Sequence, residues 1–163
     1  MYKINKSINI LEKFVNNPKK GLPSNMFYFI GRMTPYVNVD ILINSKIYGT
    51  LLTWRDDPYT GNGWHIPGGI IRFKEKIEKR IFKVGKTELG INISKFKGPI
   101  EINQMINKKK ERSHFISLLY SCKLNEKEFK KILIICEKNK KIKFFKKPPK
   151  NLLKMQKVYK KYF

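Results

Sequence analysis

The stretch that most constrains this chain is residues 64–91, WHIPGGIIRFKEKIEKRIFKVGKTELGI. Trp64–Ile66 has strand composition and runs into Pro67-Gly68-Gly69, which ends it. From Glu75 to Leu89 the apolar residues Ile77, Ile81, Phe82 and Val84 recur at helical spacing, and Gly90 supplies an end stop. The order is a strand, two glycines, a loop, a helix and a glycine.

The flanks read in the same way. Residues 7–17 predict a helix with Ser7 as N-cap and Pro18 as stop, and Ser24–Met33 a second short one. Strands are expected over Tyr36–Ile43 and Ile47–Trp54, with Asn44–Lys46 as the turn between them. Arg55–Gly63 (RDDPYTGNG) reads as a polar loop in which Asp56 and Asp57 form turns. Further strands are expected at about 99–106 and 114–123, with Lys108–Arg112 as their turn. Asn125–Lys130 reads as a short helix or turn, Ile132–Cys136 and Lys141–Phe145 as strand-length apolar runs, and Asn151–Tyr162 as a terminal helix. Strands and helices do not alternate regularly, so an α+β arrangement, an α/β/α sandwich, is expected rather than a doubly wound sheet. A length of 163 residues fits one domain.

Charge is the most prominent compositional feature. Lys and Arg number 36 against 12 Asp and Glu, a formal charge of +24. Only 5 of the basic residues are Arg, and the chain has no Ala. That pattern fits A/T-rich codon usage better than a dedicated polyanion reader, which would use the bidentate Arg fork. Weak non-specific polyanion binding is the residual expectation. The longest apolar run is about five residues, far below the roughly 18 of a membrane span, so no membrane partner is expected. The N-terminus lacks the continuous apolar core of a secretory signal, and two cysteines make no disulfide scaffold, so a cytoplasmic protein is expected.

Residues 69–91 resemble the Nudix box, G-x5-E-x7-R-E-U-x-E-E-x-G-U with U apolar. Gly69, Glu75, Glu88, Gly90 and Ile91 fall on its anchors without a gap. The resemblance implies a Nudix fold with a mixed sheet between helices over residues 22–163, preceded by an N-terminal helical extension at 1–21. It also implies hydrolysis of a nucleoside-diphosphate compound with Mg²⁺. Lys83, Val84 and Thr87 stand where the box has Arg, Glu and Glu. Box carboxylates at i, i+3 and i+4 share one helical face and hold a Mg²⁺ cluster; here only Glu88 survives on that face.

One Nudix branch, the GDP-mannose mannosyl hydrolases, is depleted in the same way, uses a single Mg²⁺ and cleaves at the sugar's anomeric carbon. Leu22–Asp40, with R-x-T-P at Arg32–Pro35, resembles that branch's N-terminal arm, and Leu51–Arg55 its substrate-binding strand. The resemblance carries Gly68 (through its carbonyl) and Glu88 over as metal ligands, Arg55 as the diphosphate contact and Phe27 as an aromatic near the nucleotide. Asp40 is carried over as an active-site carboxylate. The branch's Arg after the glycines is Ile70 here, with Arg72 two residues on as the substitute. Its Gln-His pair becomes Lys138 and Asn139, neither suited to ligation or proton abstraction. Glu137 and His114 are then candidate catalytic groups, each with a plain alternative: an exposed charge and a satisfied strand histidine. Glu75 reads equally as a metal contact or as a carboxylate bonding loop amides. Trp54 and Tyr59 are candidates to face a base, and Trp64 and the cysteines read as core. The expected partner is a nucleotide-sugar or other nucleoside diphosphate, with a homodimer through the 1–21 arm as a further expectation. The competing reading is a catalytically impaired Nudix module that binds nucleotide or RNA, or an ordinary nucleotide pyrophosphohydrolase.

Overall fold

The computed structural model describes residues 2–57, 61–107 and 114–163. The expected turn at 108–112 and the candidate Tyr59 lie outside them. The chain runs α1 (Tyr2–Lys13), α2 (Ser24–Met33), β1 (Tyr36–Leu42), β2 (Asn44–Ser45), β3 (Gly49–Asp57), β4 (Gly61–His65), β5 (Gly68–Ile70), α3 (Ile77–Leu89), β6 (Lys95–Ile106), β7 (His114–Lys123), α4 (Glu126–Lys138), β8 (Ile142–Phe145) and a C-terminal 3-10 helix (Lys154–Tyr162).

The strands form two sheets. One has the order β5-β1-β7-β6, with β1 parallel to β7 and the other pairs antiparallel. In the other, β3 pairs with β2, β4 and β8. The α+β class with a mixed sheet is therefore observed as expected.

Period-two alternation along β1 divides the core. Val39 and Ile41 point into a cluster with Ile81, Val84 and Leu89 of α3 and Ile132 of α4. Tyr36 and Leu42 point into a second cluster with Leu119, Leu152 and Tyr159, against which Phe27 and Ile30 of α2 pack. Ile41 and Ile81 are fully buried. Truncating either to Ala removes about 2–5 kcal/mol of stability.

Four expectations are corrected. Ser7 lies inside α1, its hydroxyl turned back onto the Lys3 carbonyl at 3.1 Å, so it caps nothing. The polar stretch 55–63 is not a plain loop: Arg55–Asp57 continue β3 and pair with Gly61–Gly63 of β4. Asp56 and Asp57 are thus strand residues by backbone rather than turn formers. Ile132–Cys136 is helix, part of α4. Asn125 caps α4 by accepting the Glu128 N–H at 2.9 Å. The terminal helix is of the 3-10 type.

Candidate active site

The two glycines of the sequence motif are held by different neighbours. Gly68 pairs with Asp40 across the β1–β5 ladder, and a Cβ on it would lie 2.1 Å from an Asp40 carboxylate oxygen. A Cβ on Gly69 would lie 2.9 Å from Val84 Cγ2 and 3.3 Å from Arg80 Cδ of α3. Each position is restricted to Gly by close approach.

Asp40 is the centre of a buried polar network. Its Oδ2 accepts hydrogen bonds from Ser117 Oγ at 2.5 Å and Tyr159 Oη at 2.6 Å, and its Oδ1 accepts one from Asn38 Nδ2 at 2.9 Å. The strands explain the grouping: Asn38 and Asp40 share one face of β1, and Asn38 stands opposite Ser117 in the parallel ladder with β7. Burial raises the Asp40 carboxyl above its ordinary range; the Ser117 and Tyr159 bonds, the Arg55 charge and Asn38 pull the other way. Burial and the Asp40 charge together raise the Tyr159 phenol.

A cleft of about 100 Å³, room for several water molecules, opens beside this network. Asn38 and Asp40 of β1, Arg55 of β3, His65 of β4 and Gly68–Ile70 of β5 line it, and Leu153–Gln156 close one wall. That wall is fixed to the body. Leu153 N–H donates to the Trp64 carbonyl at 3.0 Å, and Gln156 Oε1 accepts the Ile66 N–H at 3.0 Å. His65 is buried with Nδ1 at 2.8 Å from the Ile66 carbonyl oxygen, which can only accept, so Nδ1 carries a proton. Nε2 lies 3.0 Å from the Thr53 hydroxyl.

Of the residues singled out from the sequence, Asp40, Arg55 and Gly68 meet in this cleft. Gly69 and Ile70 also line it, whereas Glu88, Glu137, His114, Phe27 and Arg72 lie apart from its lining. Glu88 is exposed on the last turn of α3, and Glu137 is exposed on the last turn of α4. His114 begins β7, where its Nε2 lies 3.1 Å from Gln104 Nε2. Phe27 stacks on Tyr36 with centroids 4.4 Å apart. The Arg72 guanidinium lies against Gly21, where a Cβ would be 3.3 Å away. Trp64 packs edge-on to Trp54 and Phe145 at the second core cluster. Cys122 is buried and Cys136 half-buried; burial pushes their thiols up to about 12 and about 11.

Glu75 does structural work. Its Oε2 accepts the Arg72 N–H at 2.9 Å and Arg80 Nε at 2.7 Å, with Arg80 Nη2 at 2.6 Å. Burial by itself would raise its carboxyl; those bonds and the Arg80 charge hold it below the usual range. The residues of α3 do not fit a carboxylate-held metal cluster. Val84 is buried on Gly69, and the Thr87 hydroxyl is turned onto the Lys83 carbonyl at 2.8 Å. Among the described residues no three His, Cys, Asp or Glu side chains converge to hold an ion.

Sequence reasoning missed Asn38, His65, Ser117, Gln156 and Tyr159. A signal existed for His65, which directly precedes the Ile-Pro-Gly-Gly run; nothing local marks the other four.

No family model matches the chain, and no curated protein does. Solved structures do. A MutT NUDIX hydrolase from Burkholderia pseudomallei aligns at 21% identity and a TM-score of 0.51, covering 56% of this chain and 68% of that one. A NUDIX hydrolase from Nitrosomonas europaea aligns at 16% identity and a TM-score of 0.46, covering 58% of this chain and 64% of that one. The NUDIX domain of Shewanella oneidensis NrtR, solved with ADP ribose, aligns at 15% identity and a TM-score of 0.45, covering 69% and 73%. The likeness to the Burkholderia protein is one of fold, over the 56% of this chain that it covers.

Proposed function

We propose that the chain hydrolyses a nucleoside-diphosphate sugar or a related nucleotide diphosphate, with attack at the sugar's anomeric carbon. One observation carries this reading: a single buried carboxylate, Asp40, shares a cleft with Arg55 at the Gly68–Gly69 strand, while α3 lacks the acids that attack at phosphorus would use. In this reaction water adds to the anomeric carbon and the bond from that carbon to the diphosphate oxygen breaks. Asp40 takes the proton that the water loses, and the nucleoside diphosphate leaves with the bonding electron pair. A carboxyl raised by burial is a better base near neutral pH than an ordinary one. Arg55 faces the charge that builds on the departing diphosphate, where a guanidinium fork is well suited. Ser117, Tyr159 and Asn38 hold the carboxylate in place.

The Mg²⁺ requirement is the finer part of the proposal. A single ion carried on a diphosphate asks for only one or two protein oxygens; the Gly68 carbonyl lies at the cleft, whereas Glu88, which the resemblance carries over as the other ligand, is exposed apart from its lining and would have to meet the ion from outside it. When bound, the ion would neutralise the leaving group.

The test is a panel of GDP-, UDP- and ADP-sugars with and without Mg²⁺, comparing wild type with Asp40→Asn and Glu88→Gln. Released free sugar supports the reading, and sugar phosphate or nucleoside monophosphate overturns it in favour of attack at phosphorus. Glu88→Gln is expected to raise the Mg²⁺ concentration that gives the half-maximal rate; an unchanged Mg²⁺ dependence removes Glu88 from the ion site.

The replacement of two box acids by Val84 and Thr87 favours a second reading, a module that binds nucleotide without turnover. Tight nucleotide binding with no product from any member of the panel establishes it.

A further inference from the structure

Helix α1 stands outside the packing just described. It buries none of its residues. Ile4, Ile8 and Leu11 nevertheless recur at i, i+4 and i+7, which places them on one face, and all three are exposed. Ser7 shares that face with its hydroxyl bonded to the Lys3 carbonyl, so its polar group is already satisfied. Lys6 and Lys13 lie opposite the apolar stripe, with the exposed Tyr2 and Ile10 beside them; Lys3 lies on its flank, and Glu12 is the helix's one acid. Phe14, 66% exposed, follows directly. The linker returns to the body at Gly21, where the Arg72 guanidinium lies against it.

We propose that α1 docks the protein on a bilayer surface rich in anionic phospholipid. A short amphipathic helix with aliphatic residues on one face and lysines on the other lies in the plane of such a surface, its apolar side among the acyl chains and its ammonium groups at the headgroups. Charge selects this occupant over a second copy of the chain. A second copy carries the same +24, so pairing along this face works against like charge, whereas an anionic surface has the opposite sign. Among the described residues no helix is long and apolar enough to cross a membrane, and a helix that lies on a surface needs no such length. The expectation of no membrane partner rested on the lack of a span alone, and the proposal goes beyond it.

The full chain is mixed with vesicles of phosphatidylcholine alone and of phosphatidylcholine with phosphatidylglycerol, and sedimented. Wild type is expected to bind the anionic vesicles and to leave the neutral ones largely bare. Because the net charge alone attracts any anionic surface, the deciding variant is Ile8→Glu with Leu11→Glu. Both positions are exposed, so the body keeps its fold, which its thermal transition checks. This variant is expected to bind anionic vesicles roughly tenfold more weakly or worse. Lys6→Glu with Lys13→Glu is expected to weaken binding too, and to lessen its dependence on salt. Equal binding by wild type and the Ile8/Leu11 variant overturns the proposal by showing attraction through charge alone. Failure of wild type to bind overturns it as well. A concentration-dependent dimer that the Ile8/Leu11 variant abolishes, without vesicle binding, assigns the face to a second copy instead.

Discussion

Gly68 and Gly69 are neighbours in one short strand, yet the regions that press on them differ in kind. On Gly69 lies the α3 side: Val84 and the Arg80 stem, on a helix whose Ile81 is fully buried. Its one partly buried acid, Glu75, is spent on Arg80 and a loop amide. On Gly68 lies the β1 side: a buried carboxylate with three hydrogen-bond donors, an arginine in reach and an open cleft. The contrast teaches that a motif's spacing and its chemistry can separate. The helix keeps the geometry that places the glycines, while the polar groups that could act on a ligand sit on the opposite neighbour.

The comparison can be broken from the α3 side first. Val84→Glu, which writes a box acid back in, puts a charge against Gly69 in an apolar cluster and is expected to cost about 3–5 kcal/mol in urea unfolding. Wild-type stability with new metal-dependent turnover would show that the α3 side is a dormant site rather than packing. Arg80→Leu leaves Glu75 without its partner and is expected to cost about 2–4 kcal/mol. Its pH dependence has a definite sign. The Glu75 carboxyl lies below the unfolded value of 4.5, so its contribution is present above that pH and fades as pH falls through the lower native value. Arg80→Leu should flatten this acid limb.

From the β1 side, Asp40→Asn keeps the shape of the network and is expected to lower turnover about a hundredfold, near 2.7 kcal/mol of barrier. Asp40 follows the opposite sign rule: its native value is raised, so its contribution to stability is full below the unfolded value of 3.8 and is lost as pH rises through the raised one. Asp40→Asn should remove that decline, read as the urea midpoint against pH. The smallest effect belongs to Glu88→Gln. Its exposure predicts a change in unfolding free energy within about 0.5 kcal/mol, so any loss of turnover reports ion binding rather than folding.

Much of the fold was legible because it is local. Helical spacing marked α2 and α3, and Gly90, at φ +68°, marked the α3 stop. The strands expected over Tyr36–Ile43 and at about 114–123 correspond to β1 and β7. The error over Ile132–Cys136 came from reading an apolar run without its cap; Asn125, followed by Glu128 three residues on, is a helix start that lay in plain view. In the site, Asp40, Arg55 and Gly68 were legible through the resemblance. Ser117 and Tyr159 were not, because their place depends on a parallel register and on a terminal helix folding back, neither of which leaves a short-range trace.

The Tyr159 hydroxyl reaches Asp40 across 119 residues of sequence. During synthesis on the ribosome, Asn38 and Ser117 therefore become available to the carboxylate well before Tyr159, whose hydrogen bond is the last of the three to form. A growing chain can thus have its sheets and α3 in place and still lack the wall that Leu153–Gln156 give the cleft.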